Sequence, residues 1–211
     1  MLGRGNMLLE YLQRNYKVNE PIFVSDIDLP VTSTNLRQMF KVLCDSGKIY
    51  RYDTGIYYMK GESRLRGGVS LSAGEVARYK YIARNNRVSG YYSGYTFANQ
   101  LGLTTQVPYI IEIVSNQASA NCREVSVKNQ KIVLRKPRTE ITNENYCILQ
   151  LLDLLKDLKQ YVDDDMPEAA EQIVAYVKSL GIKRKDIDKY IILFPDRVYK
   201  YIYEMRLYDV L

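Results

Sequence analysis

The segment from residue 32 to residue 60 constrains the fold most, because its apolar period changes from that of a helix to that of a strand. Residues 32–49, TSTNLRQMFKVLCDSGKI, carry apolar side chains at the spacing of one helix face: Leu36, Met39, Phe40 and Leu43. Thr32 or Ser33 can cap this helix, and Gly47 can end it. The residues that follow, IYRYDTGIYYMK, predict two short strands around the hairpin loop Asp53-Thr54-Gly55.

Another helix is predicted upstream of this segment. Its apolar face repeats at helical spacing and consists of Met7, Leu8, Tyr11 and Leu12. The intervening PIFVSDIDLP is too short and too bounded by proline for a full helix. A helix, a short turn, a capped helix and a hairpin together predict a winged helix-turn-helix DNA-binding domain over residues 1–66.

Residues 67–211 predict a second, mixed domain, which follows a glycine-containing linker near GESRLRGG, residues 61–68. Strand patterns occur at about residues 107–136, and the last two strands are predicted to form a hairpin across Asn129-Gln130. Helical patterns occupy about residues 143–211. The predicted fold class is therefore α+β, in which the winged helix-turn-helix is followed by a small antiparallel sheet and C-terminal helices.

The composition removes several classes of enzyme. The 211 residues include no histidine, which excludes Ser-His-Asp and Cys-His catalysis and zinc sites with histidine ligands. Cys44, Cys122 and Cys147 have neither a metal-ligand spacing nor a disulfide framework, and they indicate buried thiols in a reducing compartment. We predict a protein that is not an enzyme and that holds no metal and no cofactor.

The sequence also predicts a cytoplasmic location. Glu10 and Arg14 interrupt the apolar run that a signal peptide needs. The longest uncharged run lies between Arg87 and Glu112, but it is rich in polar residues, and we predict no membrane segment.

The capped helix presents a basic, hydrogen-bonding face opposite its apolar residues. Arg, Gln and Asn can make bidentate contacts to base edges, while Ser, Thr and Lys can bind phosphates. The predicted DNA-binding residues of this helix and of the hairpin are Thr32, Ser33, Thr34, Asn35, Arg37, Gln38, Lys41, Lys48, Arg51 and Lys60. The open alternative is a protein-interaction module, in which this face docks a protein and binds no DNA.

The charge distribution limits how such a domain would recognise DNA. The net charge of the chain is +6, but residues 1–68 carry +3, residues 69–140 carry +6 and residues 141–211 carry −3. Electrostatic affinity from the first segment alone is weak. We therefore expect specific contacts from one helix face to contribute more than bulk charge.

The string SDIDL, residues 25–29, offers an enzymatic alternative. Asp26 and Asp28 match the paired aspartates with which nucleotidyltransferases hold magnesium on a strand. Such enzymes also need a Gly-Ser turn upstream, where this chain has an amphipathic helix, and Pro30 stops the strand. We instead predict that Ser25 or Asp26 caps a short helix.

A second basic region spans residues 121–138, NCREVSVKNQKIVLRKPR. Its six cations are opposed only by Glu124 and are Arg123, Lys128, Lys131, Arg135, Lys136 and Arg138. If the two strands pair, much of this charge stays accessible and can bind a nucleic-acid backbone. An equally weighted alternative is that it neutralises the acidic helical third, where residues 163–165 are consecutive aspartates.

The order of these segments resembles a known family. A winged helix that ends in a GIYYM-like strand, followed by SGYTFANQLGLTTQVP and a strand segment, is similar to the AbiEi-type antitoxins of bacterial type IV toxin-antitoxin and phage-defence systems. The likeness is strongest over about residues 7–140, and the acidic C-terminal third departs from it.

The resemblance implies a transcriptional repressor of its own two-gene operon that binds promoter DNA through the winged helix. It places DNA contacts at residues 32–41 and in the 49–60 hairpin, and it supplies no catalytic residues. It also implies a second domain that counteracts a nucleotidyltransferase-type toxin without a stable complex. Since one recognition helix reads few base pairs, we expect a homodimer or a cooperative assembly on operator DNA.

Overall fold

A computed structural model describes residues 2–61, 71–162 and 166–211. The chain divides into unit 1, Met1–Val76, and unit 2, Ala77–Leu211. The predicted linker lies outside the described residues apart from Gly61, and so do the aspartates 163–165.

Unit 1 combines helices with a small antiparallel sheet. Its elements are α1 (Leu2–Asn15), β1 (Ile22–Phe23), α2 (Ser33–Asp45), β2 (Tyr50–Asp53) and β3 (Ile56–Tyr58). The three strands lie in the order β1-β3-β2. The pairing of β1 with β3 was not predicted, because a two-residue strand has no period to detect and forms only through its partner.

The core of unit 1 joins the apolar faces of α1 and α2. Leu8, Leu12 and Phe40 are completely buried. The predicted apolar face of α2 is confirmed, since Leu36, Met39, Phe40 and Leu43 are all at most 8% exposed. The predicted limits of this helix are confirmed too: Thr32 caps α2, and Gly47 follows its C-terminal end.

The segment between β1 and α2 differs from the prediction. Val24–Asp26 forms a single 3₁₀ turn whose N-cap is Phe23, with no side-chain cap. The prediction that Ser25 or Asp26 caps a short helix is therefore wrong. The Ser25 hydroxyl instead donates a hydrogen bond to Asp26 Oδ1 at 3.1 Å, so the two side chains satisfy each other.

The β2–β3 hairpin is one residue tighter than predicted. Asp53 pairs with Ile56, which leaves Thr54 and Gly55 as the loop, and the register shifts between Arg51 and Asp53. Asp53 Oδ1 accepts a hydrogen bond from the Thr54 backbone N–H at 2.6 Å. Gly55 has a φ of +71°, a conformation that favours glycine.

Helix α3 (Ala73–Tyr81) contains the boundary between the units. The strands of unit 2 are β4 (Ala83–Arg84), β5 (Arg87–Val88), β6 (Gly90–Tyr92), β7 (Ile111–Ser115), β8 (Cys122–Val127) and β9 (Gln130–Arg135). Its further helices are α4 (Gly94–Gln100), α5 (Tyr146–Lys156), α6 (Met166–Leu180), α7 (Arg184–Ile191) and α8 (Arg197–Glu204), with 3₁₀ turns at Leu158–Gln160 and Leu207–Asp209. The chain is thus of the α+β class.

The main sheet of unit 2 has the order β6-β7-β9-β8. The β8–β9 pair is antiparallel, as predicted. The β6–β7 pair is also antiparallel, although β6 was not predicted as a strand, while β7 and β9 are parallel. The parallel pair arises because the chain passes from β7 to the far edge as β8 before it turns back as β9. The turn is Lys128-Asn129, one residue earlier than predicted, and Lys128 takes the left-handed φ of +48°.

Helix α5 lies at the centre of the core of unit 2. All residues from Ile148 to Leu155 are buried, including Gln150 and Asp153. A buried aspartate needs hydrogen-bonding or charged partners to offset its loss of hydration. Within the described ranges, no helix has the length and apolar character that a bilayer span requires.

Candidate nucleic-acid interface

The exposed face of α2 carries the predicted base-reading side chains. Thr34, Gln38 and Lys41 lie at positions i, i+4 and i+7 along one stripe, and all three are exposed. Arg37 stands beside this stripe, one turn before Lys41, and is exposed as well. The buried Leu36, Phe40 and Leu43 occupy the opposite side. The helix therefore separates its core contacts completely from its polar face.

The N-terminal end of α2 is held by Thr32. The Thr32 hydroxyl oxygen accepts a hydrogen bond from the Asn35 backbone N–H at 3.3 Å. Thr32, Ser33 and Asn35 are all exposed around this first turn. Recognition helices place their N-terminal residues against base edges, which is the role that the sequence predicts for this capped end.

The hairpin adds further basic side chains. Lys48 and Arg51 are exposed. The Arg51 guanidinium donates to Asp53 O and to Thr54 Oγ1, each at 3.4 Å, which holds it against the hairpin loop. Lys60 is partly buried, and its Nζ lies 5.2 Å from the centroid of the Tyr50 ring.

The sequence interpretation missed Tyr50 as a surface residue. Its side chain is 40% exposed, and its ring lies 5.7 Å from that of Tyr58, its partner in the β2–β3 pair. Strand alternation gave no signal for this exposure, because it places Tyr50 on the same face as the buried Tyr52, and Tyr50 differs only in lying at the strand end. Exposed Tyr50 beside Lys60 gives the hairpin a flat aromatic surface next to a cation.

Cations outnumber carboxylates on this surface. Arg37, Lys41, Lys48, Arg51 and Lys60 carry positive charge. The acidic residues nearby in sequence are Asp45, in the last turn of α2, and Asp53, in the hairpin. Burial and Asp45 raise the pKa of Cys44, so its thiol stays protonated and contributes no negative charge here.

The paired aspartates do not lie on a strand. β1 ends at Phe23, Asp26 closes the 3₁₀ turn, and Asp28 follows it. The backbone N–H of Asp28 donates to the Tyr11 hydroxyl at 3.4 Å. No group of three or more Cys, Asp or Glu residues in the described part of the chain is placed to hold a metal ion.

The second basic region is divided between the surface and the interior. Five of its cations are exposed: Arg123, Lys128, Lys131, Lys136 and Arg138. Arg138 also donates to Leu193 O at 2.9 Å and lies 5.0 Å from the Phe194 ring centroid. The sixth, Arg135, is the last residue of β9, and only 25% of its side chain is exposed. Much of this charge is therefore accessible, as expected, but Arg135 is the exception.

Arg135 lies in a polar network that connects the sheet to α5. Its Nη2 donates to Ser93 Oγ at 2.8 Å and to Glu112 Oε2 at 3.1 Å, and it lies 4.0 Å from Asp153 Oδ2. The Ser93 hydroxyl donates in turn to Asp153. Burial alone would lower the pKa of Arg135, but Asp153 and Glu112 outweigh it and raise the pKa.

The same network extends along α5. Lys156 Nζ contacts Asp153 Oδ1 at 2.8 Å and Asp157 Oδ2 at 3.2 Å. Asp157 Oδ1 also pairs with Arg197 of α8 at 2.8 Å. The sequence interpretation missed these partners, although Asp153 within the apolar run LQLLDLLK was a signal that a buried charge needed compensation.

Gly94 is required by this arrangement. It begins α4 with a φ of +56°, and a Cβ there would overlap the Glu112 carboxylate. Glu112 Oε1 also accepts a hydrogen bond from the Tyr95 backbone N–H at 3.1 Å. The SGYTF segment therefore fits closely around the carboxylate that pairs with Arg135.

Comparison with known proteins gives one family. The family described as "Family of unknown function (DUF6088)" matches residues 10–184, which is most of the chain. No curated protein matches the sequence.

Proposed function

We propose that this chain, which belongs to the DUF6088 family of unknown function, is a sequence-specific DNA-binding transcriptional repressor. In this proposal, unit 1 is a winged helix-turn-helix, α2 is its recognition helix and the β2–β3 hairpin is its wing.

The observation that carries the proposal is the exposed face of α2. Thr34, Arg37, Gln38 and Lys41 project from a helix whose other side is fully used by the core. Arg and Gln can each make bidentate contacts to base edges, which is how sequence is read in the major groove. Thr and Lys suit the adjacent phosphates.

The hairpin supports the same orientation. Lys48, Arg51 and Lys60 would contact the sugar-phosphate backbone beside the groove that α2 enters. Arg51 is held by Asp53 O and Thr54 Oγ1, so part of its ordering cost is met before DNA binds.

One helix face reads only a few base pairs, which is too little to select a single site in a genome. We therefore propose that two or more copies bind operator DNA together, as a homodimer or cooperatively on repeated half-sites.

We further propose that the protein is the antitoxin of a type IV toxin-antitoxin operon. This part rests on the resemblance of residues 7–140 to AbiEi-type antitoxins, and it assigns the antitoxin role to unit 2. The partner would be a nucleotidyltransferase-type toxin that is counteracted without a stable complex.

Gel-shift measurements with the DNA upstream of the protein's own coding region test the repressor proposal. We expect a retarded complex with that DNA and much weaker binding to a scrambled sequence of the same composition. Equal affinity for the two sequences would contradict sequence-specific binding. Absence of any salt-dependent DNA affinity would favour the protein-docking alternative.

The antitoxin proposal has its own test. We expect the adjacent gene to encode a nucleotidyltransferase whose expression arrests growth, and co-expression of this chain to restore growth. An arrest that persists with folded protein present would contradict the antitoxin role and would leave the DNA-binding result unaffected.

A further inference from the structure

A small cleft opens in unit 2 at the carboxyl end of β9. It has a volume of about 240 Å³ and is lined by four cations, Arg135, Lys136, Arg138 and Lys156, and by one carboxylate, Asp153. It lies outside the proposed DNA-binding surface, since all of its lining residues belong to unit 2.

The positive charge of this cleft is only partly compensated. Arg135 and Lys156 are paired with Asp153, Glu112 and Asp157. Lys136 and Arg138 make no ion pair with any carboxylate in the described ranges. Two cations at one cleft without carboxylate partners create a local potential that attracts an anion.

Arg135 adds a second observation. Its Nη2 is satisfied by Ser93 and Glu112, but its Nε is buried and has no hydrogen-bond partner among the described residues. A buried N–H without an acceptor is energetically unfavourable. The Nε has no accessible surface, so an anion in the cleft would contact the guanidinium through the part of the Arg135 side chain that is exposed.

The chemistry of the lining favours phosphate over a simple carboxylate. A phosphate group offers several acceptor oxygens and about two negative charges, which suits a partly buried guanidinium and two cations that have no carboxylate partner among the described residues. The buried Tyr91 ring and Pro137 give the cleft a small apolar wall. Its volume is below the roughly 300 to 1,000 Å³ of pockets for drug-sized ligands, so the rest of the ligand must be small.

We propose that this cleft binds the phosphate group of a small phosphorylated compound, with Lys136, Arg138 and Arg135 as its ligands. The site is independent of the proposed repressor function, because it uses no residue of unit 1.

Isothermal titration calorimetry of the full chain in a low-salt, phosphate-free buffer tests this proposal. The probes are inorganic phosphate, glycerol 3-phosphate and uncharged glycerol. The variants are K136Q and the double variant K136Q/R138Q. The matched control is K131Q/R123Q, which removes two exposed cations from the same hairpin at positions that do not line the cleft. Circular dichroism checks that each variant is folded.

We expect both phosphate probes to bind and glycerol not to bind. Affinity should fall at least tenfold in K136Q/R138Q, less in K136Q, and remain within about twofold in the control. Tighter binding of glycerol 3-phosphate than of inorganic phosphate would show that the cleft prefers a phosphate ester. Equal binding of the two probes would show that free phosphate is a sufficient ligand. Failure of both phosphate probes to bind, or an equal loss in the control, would overturn the proposal. The single variant keeps the test decisive if loss of the Arg138 contact to Leu193 O destabilises the double variant.

Discussion

The Thr32 hydroxyl accepts a hydrogen bond from the Asn35 backbone N–H at 3.3 Å, and this contact fixes the first turn of α2. The two residues also lie at the end of the helix that we propose to enter the major groove. In that proposal, the stability of the helix end and the affinity for DNA depend on the same position.

Thr32→Ala removes this cap and should lower the free energy of unfolding by about 1 kcal/mol. Urea denaturation measures the change. Thr34→Ala is the control, because Thr34 is also an exposed threonine at the start of α2 but is not its cap. A loss as large in the control would show that the cap is not the cause.

Gly94→Ala should destabilise unit 2 by more than about 2 kcal/mol. The new Cβ would require a left-handed φ of +56° and would also overlap the Glu112 carboxylate. Gly181→Ala is the matched control, since Gly181 has a φ of +61° but nothing within 4 Å of a Cβ. The difference between the melting-temperature shifts of the two variants measures the effect of the overlap alone. Equal shifts would contradict a destabilising overlap with the Glu112 carboxylate.

Asp153→Asn should lower the free energy of unfolding by about 3 kcal/mol, because Lys156 and Arg135 would lose a buried counter-charge. Glu140→Gln is the comparison variant. It breaks the exposed 3.9 Å contact to Arg87 and should change stability by less than about 1 kcal/mol. Denaturant titrations of the two variants should therefore differ clearly, and similar values would argue against the network.

Alkaline pH should destabilise unit 2. Burial is the main cause that raises the pKa of Tyr91 and of Tyr161 above the ordinary value of 10.0, and nearby carboxylates add to it. Because the folded state holds each phenol proton more tightly than the unfolded state, the phenol's contribution to the free energy of unfolding is fully present below pH 10.0. This contribution is lost as the pH rises further. The free energy of unfolding should fall by up to about 1.4 kcal/mol per pH unit for each such phenol. Tyr161→Phe should reduce this slope, and an unchanged slope would contradict the assignment.

The sequence was sufficient where a local period decided the structure. The apolar spacing of Leu36, Met39, Phe40 and Leu43 predicted α2 and its buried side, and the candidate caps Thr32 and Ser33 predicted where the helix begins. These features depend on interactions within one helical turn, which a single sequence contains.

Features that depend on distant partners were not predictable in this way. β1 exists only because Ile22 and Phe23 pair with β3, and the parallel β7–β9 contact depends on the position of an edge strand. Arg135 was grouped with exposed cations because strand alternation does not reveal Ser93, Glu112 and Asp153, which lie 18 to 42 residues away in the chain.

The specificity ratio of DNA binding tests the central claim most directly. It is the affinity for the protein's own upstream DNA divided by that for scrambled DNA, measured by fluorescence anisotropy at one fixed salt concentration. Arg37→Ala should lower this ratio by about fivefold to 150-fold, since a bidentate base contact contributes about 1 to 3 kcal/mol. Arg14→Ala, which removes an exposed cation of α1, should leave the ratio unchanged. A wild-type ratio near one, or an equal loss in both variants, would contradict recognition by α2.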